Sequence, residues 1–108
     1  MFTSRKHTLD LSTTLLELRA GRLLLYDVRE GNERAESFVP GSRHLPLGQV
    51  KARLGELPRD KPVAFICRTG RRSAMATATA RRAGYDAHNV KGGMTAWNQQ
   101  LNHGRTPK

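Results

Sequence analysis

Apolar and polar positions along this chain follow two different periods. Leu11, Leu15 and Leu18 recur at i, i+4 and i+7, which predicts a short amphipathic helix with Ser12, Thr13 or Thr14 as its N-cap and Gly21 as its stop. Leu23 to Val28 is apolar on both faces until Asp27, the pattern of a strand covered by helices on both sides. Gly31 to Ser37 is polar and reads as a short helix or turn, and Pro40-Gly41 marks a bend. His44 to Leu47 reads as a short strand ended by Pro46, Gln49 to Leu54 as a short helix, and Pro58 to Pro62 as a surface loop. The uncharged run Val63 to Ile66 is a further strand. Ser73 is the expected cap of a helix over Ala74 to Ala83, with Ala76, Ala80 and Ala83 as a small-residue face, Arg81 and Arg82 in its last turn, and Gly84 at its end. Asp86 to Val90 gives another strand, and Gly92-Gly93 opens a final helix with Met94, Trp97 and Leu101 on one stripe.

Strands alternating with helices at this spacing predict an α/β domain with a mainly parallel, about five-stranded sheet. The 108 residues suit one domain, with residues 1–6 and 103–108 expected as flexible tails. In such sheets ligands bind beyond the carboxyl ends of the strands, where Asp27 and Cys67 both fall.

Composition adds charge and one thiol. Nineteen Lys and Arg against nine Asp and Glu give a formal charge of +10, a field that attracts anions and that also serves solubility. A single cysteine cannot close an intrachain disulfide, and Arg5 and Lys6 precede no apolar stretch long enough for a leader; a reducing cytoplasm is the expected location. The longest apolar run, Leu23 to Tyr26, is far too short for a membrane span. His7, His44, His88 and His103 lack metal-ligand spacing, so neither a metal nor a cofactor is expected. Basic residues are not interleaved with aromatics, and nucleic acid is not an expected partner.

Cys67 stands where the strand at Val63 to Ile66 breaks into Arg68-Thr69-Gly70-Arg71-Arg72-Ser73. A lone cysteine at a strand end is often only a small core residue. Here the flanking loop argues for a nucleophile. An ordinary thiol is only a few per cent ionised at neutral pH, and three causes of a lower pKa are expected: the amides of the following helix, the charge of Arg68, Arg71 and Arg72, and the turn that Gly70 permits.

With these motifs the chain resembles the rhodanese family of sulfurtransferases, in its short single-domain form, over nearly its whole length. Asp27-Val28-Arg29-Glu30, Pro40-Gly41 with Leu45-Pro46-Leu47, Cys67 to Ser73, Ala83-Gly84-Tyr85, and Gly92-Gly93 through Trp97 appear in the family's order. The resemblance implies a three-layer α/β/α fold and a ping-pong reaction. Cys67 would take a sulfane sulfur from a small anionic donor such as thiosulfate, hold it as a persulfide cradled by the amides of Arg68 to Ser73, and pass it to cyanide, a thiol or a protein cysteine. Arg71 and Arg72 are candidates for the donor's oxygens, with Arg68 able to point away. Asp27 and Arg29 are expected to support neighbouring loops, and Trp97 to pack in the core. The chain departs from many relatives at Arg34 and at Phe38, which stands where they carry histidine, so substrate access is open to change.

Two rival readings keep Cys67 central. A cysteine phosphatase or arsenate reductase places an arginine six residues after its cysteine; here that residue is Ser73, and the arginine comes one earlier, at Arg72. A sulfur carrier, or a sensor of reactive sulfur, needs the same thiol without rapid turnover.

Overall fold

The computed structural model describes residues 6–103. Strands β1 (Thr8–Leu9), β2 (Leu24–Asp27), β3 (Arg43–His44), β4 (Val63–Ile66) and β5 (Ala87–Val90) form one sheet in the order β1-β5-β4-β2-β3. Every neighbouring pair is parallel, so the expected mainly parallel α/β architecture is present. The helices are α1 (Leu11–Arg19), α2 (Gly31–Glu36), α3 (Leu47–Val50), α4 (Arg71–Arg82) and α5 (Gly93–His103), with one 3-10 turn at Leu54–Glu56.

Side-chain alternation in the strands divides the core into two layers. Val63 and Phe65 of β4 face one way and pack with Val50 of α3 and with Ala76 and Ala80 of α4. Ala64 and Ile66 face the other way and join Leu11 and Leu15 of α1 with Met94 and Trp97 of α5. Cys67 keeps the parity of Val63 and Phe65, which sends its sulfur to the α4 side. The small side chains of α4 let that helix lie close to the sheet.

Several boundaries differ from those the sequence predicts. Asp10, not a residue of Ser12 to Thr14, caps α1; its carboxylate accepts from the Thr13 amide at 2.7 Å. Ser12 and Thr13 lie inside the helix, and Thr14 is buried there with its hydroxyl donating to the Asp10 carbonyl at 2.8 Å. Strand β3 lies at Arg43–His44 rather than His44 to Leu47, because Pro46 already holds the N-cap of α3 and moves that helix ahead of Gln49. Gly70, with φ at +109°, caps α4, so Ser73 sits within the helix and its hydroxyl is released for other work. Ala83 is exposed, and Thr77 takes its place on the buried face of α4. Leu101 is 39% exposed and leaves the stripe of Met94 and Trp97. The edge strand β1 has too few residues to show a period. Of the expected tails, residues 1–5 and 104–108 lie outside the described residues, whereas Lys6 stands in a turn and His103 in α5. Among the described residues no helix is long and apolar enough to cross a membrane.

Candidate functional site

Strand β4 delivers Cys67 to the carboxyl end of the sheet with the side chain almost wholly covered, at 1% exposure. Immediately beyond it the chain curls. The left-handed geometry of Gly70 turns its amide back onto the sulfur, with N to Sγ at 3.1 Å, and starts α4 at Arg71. One helical turn on, the Ser73 hydroxyl lies 3.2 Å from the same sulfur. The first turn of α4 thus aims unsatisfied N–H groups at Cys67.

These contacts set the acidity of the thiol. Burial pushes the Cys67 pKa up, but the Ser73 hydroxyl and the amides of Ser73, Gly70 and Thr69 together outweigh it and leave the value below that of an ordinary cysteine. Arg72 attracts the thiolate only as a lesser partner, since its guanidinium is engaged by the Glu33 carboxylate at 2.7 and 2.8 Å. The Arg72 guanidinium thus also serves to hold α4 to α2. Arg68 and Arg71 are exposed.

The outer side of the loop is fixed by α5. The Met94 amide donates to the Cys67 carbonyl at 2.8 Å, and the Thr95 amide and hydroxyl donate to the Arg68 carbonyl at 3.0 and 3.1 Å. Gly93 makes that approach feasible: its φ is +52°, and a Cβ there would fall onto the Cys67 carbonyl oxygen and within 2.8 Å of the Arg68 carbonyl. A third support comes from β5, where the Asn89 side chain donates to the Gly70 carbonyl at 3.0 Å and accepts from the Ser73 hydroxyl at 2.5 Å.

Asp27, at the end of β2, belongs to a separate charged assembly. Its buried carboxylate receives two bonds from the Arg29 side chain, at 3.1 and 2.9 Å, and one from Arg34 at 3.3 Å. Arg29 continues to the carbonyls of Glu33 and Ser37, and Arg34 to the Ser42 hydroxyl and carbonyl. The segment from α2 to β3 is thereby tied to the sheet. Arg34 also lies over the half-exposed ring of Phe38, its guanidinium carbon 4.6 Å from the ring centre. Between α2 and α5 a cavity of about 310 Å³ opens beside Arg68, Thr95 and Asn98.

The structure brings Cys67, Thr69, Gly70 and Ser73 around one sulfur atom and places Asp27 and Arg29 in the neighbouring wall. Sequence reasoning missed Glu33, Arg34 and Asn89 as participants. Glu33 and Asn89 act across fold contacts: Arg72 to Glu33 spans 39 positions, and Gly70 to Asn89 spans 19. No local spacing marks such partners.

A family model described as the rhodanese-like domain matches residues 12–100. The putative sulfurtransferase YtwF of Bacillus subtilis is 40% identical over 75 residues, covering 69% of this chain and 73% of that protein. The human thiosulfate:glutathione sulfurtransferase is 32% identical over 95 residues, covering 74% and 83%. Among solved structures, reduced CoADR-RHD of Bacillus anthracis superposes with a TM-score of 0.83 at 31% identity, covering 89% of this chain but only 17% of that larger one.

Proposed function

The chain belongs to the rhodanese-like domain family of sulfurtransferases, and on that premise we propose that it moves a sulfane sulfur from thiosulfate or a similar anionic donor through a persulfide on Cys67. The observation that carries the reading is the convergence of the Gly70 amide and the Ser73 hydroxyl on a buried Sγ, with the Thr69 and Ser73 amides adding to the same field. Such a cradle favours the thiolate, which is the nucleophile.

In the first half-reaction the Cys67 thiolate attacks the outer sulfur of the donor. The S–S bond of thiosulfate breaks, sulfite departs with the bonding pair, and a persulfide anion remains on Cys67. The fixed loop dipoles from Arg68 to Ser73 stabilise that anion without reorganising. In the second half-reaction a thiolate or cyanide attacks the outer sulfur, and the Cys67 thiolate is restored as leaving group. Arg71, exposed at the start of α4, and Arg72, steadied by Glu33, supply positive charge for the donor's oxygens. A thiol related to glutathione is a reasonable acceptor by analogy with the human relative. A reducing cytoplasm would keep the single thiol free.

The phosphatase reading lacks its arginine. The sixth position after Cys67 holds Ser73, whose hydroxyl turns to the sulfur, so no guanidinium stands there to clasp a phosphoryl group. Thiosulfate:cyanide turnover, measured for the wild type and Cys67→Ala, tests the proposal directly. Turnover is expected to vanish in the variant, and intact mass of the thiosulfate-treated wild type should show the gain of one sulfur. Slow turnover with ready persulfidation by a protein donor would indicate a carrier. Hydrolysis of a phosphotyrosine analogue would overturn both readings.

A further inference from the structure

The Ser73 hydroxyl has two acceptors and one proton. It lies 3.2 Å from Cys67 Sγ and 2.5 Å from Asn89 Oδ1. A hydroxyl donates once, and its remaining capacity is to accept. The orientation of the Asn89 amide settles which partner has the first claim. Its Nδ2 donates to the Gly70 carbonyl at 3.0 Å, and a carbonyl can only accept, so the oxygen end must face Ser73. Oδ1 has nothing to donate. The shorter contact therefore takes the Ser73 proton, and Ser73 presents lone pairs to the sulfur.

We infer that Asn89 is a positioning residue that holds the Ser73 hydroxyl proton away from Cys67 while the sulfur is neutral and yields it when the sulfur becomes a thiolate. In the thiol state the chain of bonds runs from Cys67 S–H to Ser73 Oγ and from Ser73 O–H to Asn89 Oδ1. On ionisation the Cys67 proton leaves to water, the Ser73 hydroxyl rotates, and its proton turns from Oδ1 to Sγ. No covalent bond other than the Cys67 S–H breaks. The Gly70 amide, fixed by the loop backbone, remains on the sulfur in both states.

If Cys67 carries a persulfide, as the proposed function requires, the charge moves to the outer sulfur and Sγ becomes neutral. The Ser73 proton then returns to Asn89. The switch would follow the reaction cycle, donating to Sγ when it is the nucleophile or the departing thiolate and releasing it between those events. Asn89 is suited to this task because its backbone is anchored: its amide donates to the His7 carbonyl at 2.8 Å, and its Cα pairs with Thr8 and Phe65.

The ionisation of Cys67 reports the switch, and the charged groups around it stay in place in every variant needed. On the loop and α4 these are Arg68, Arg71 and Arg72, with Arg72 paired to Glu33 of α2. At the end of β2 Asp27 is paired with Arg29 and Arg34, and Lys91 follows β5. Cys67 is the only cysteine, so the ultraviolet absorbance of its thiolate against pH gives a site-specific midpoint without any sulfur donor.

Asn89→Ala should lower that midpoint and raise the thiolate-to-thiol ratio about fivefold, the size of one neutral hydrogen bond no longer surrendered on ionisation. Asn89→Val, with a side chain suited to a strand, should do the same if the alanine variant folds poorly. Asn89→Asp keeps an oxygen facing Ser73 and adds negative charge, so it should raise the midpoint. Ser73→Ala should also raise it, and Asn89→Ala added to Ser73→Ala should change it no further. Movement of the alanine and aspartate variants in the same direction, or an Asn89→Ala effect that survives without the Ser73 hydroxyl, overturns the inference. Because thiosulfate plays no part in this titration, failed turnover would count against the proposed function and leave the proton switch standing.

Discussion

Two hydrogen-bonded assemblies meet at the carboxyl end of the sheet, one built from full charges and the other almost wholly from dipoles. Around Asp27, guanidinium groups of Arg29 and Arg34 converge on one buried carboxylate and fasten the segment from α2 to β3. Around Cys67, backbone amides and one hydroxyl converge on sulfur, while the nearest engaged guanidinium, Arg72, is held by Glu33. The contrast separates two tasks. Ion pairs inside the protein carry their own countercharge and serve to hold the wall. Fixed dipoles leave room for a charge that comes and goes with the reaction.

Removing one member of the charged wall should give the largest loss of stability. Asp27→Ala leaves the Arg29 guanidinium, 6% exposed in its side chain, without its carboxylate, and should cost about 3 to 5 kcal/mol in chemical denaturation. A cost below about 1 kcal/mol would break the comparison, because the wall would then not depend on its charges. Disturbing the dipolar cradle should act on turnover instead. Gly93→Ala forces a Cβ against the Cys67 and Arg68 carbonyls and should lower sulfurtransferase turnover about 100-fold, since a displacement on the order of 1 Å has that effect on a reacting group. Wild-type turnover in Gly93→Ala would show that α5 does not fix the loop.

The smallest effect sharpens the boundary between the two assemblies. Arg72 pushes the Glu33 carboxyl from 4.5 to about 2, so the tether's contribution is present above about pH 4.5 and is lost as pH falls through about 2. The pair is partly exposed and screened by water, which limits its contribution to under about 1 kcal/mol. Glu33→Gln should therefore flatten the pH dependence of stability in that acid window and change stability little at neutral pH. Denaturation curves across the window for both proteins provide the check.

The central strands and long helices were legible because their patterns are local. Val63 to Ile66 reads as a buried strand from composition alone, and the alanines of α4 predict close packing against a sheet. Strand β1 was illegible, because Thr8 and Leu9 become a strand only through pairing with Asn89 and Val90. Ser73 shows how a sound local rule can be overruled. Serine before an apolar helix is a good N-cap, but Gly70 begins the helix three residues earlier and frees the hydroxyl for Cys67 and Asn89. The direction of Arg72 depends on Glu33, whose position the sequence near Cys67 does not disclose.

The pairing of β1 with β5 also orders events during synthesis. Thr8 finds its strand partner only at Asn89, and the Cys67 and Arg68 carbonyls find theirs only at Met94 and Thr95. Residues as far as Thr95 must therefore leave the ribosome before the first strand can dock and the loop around the thiol can acquire its complete support. Until then the Cys67 loop lacks its brace from α5.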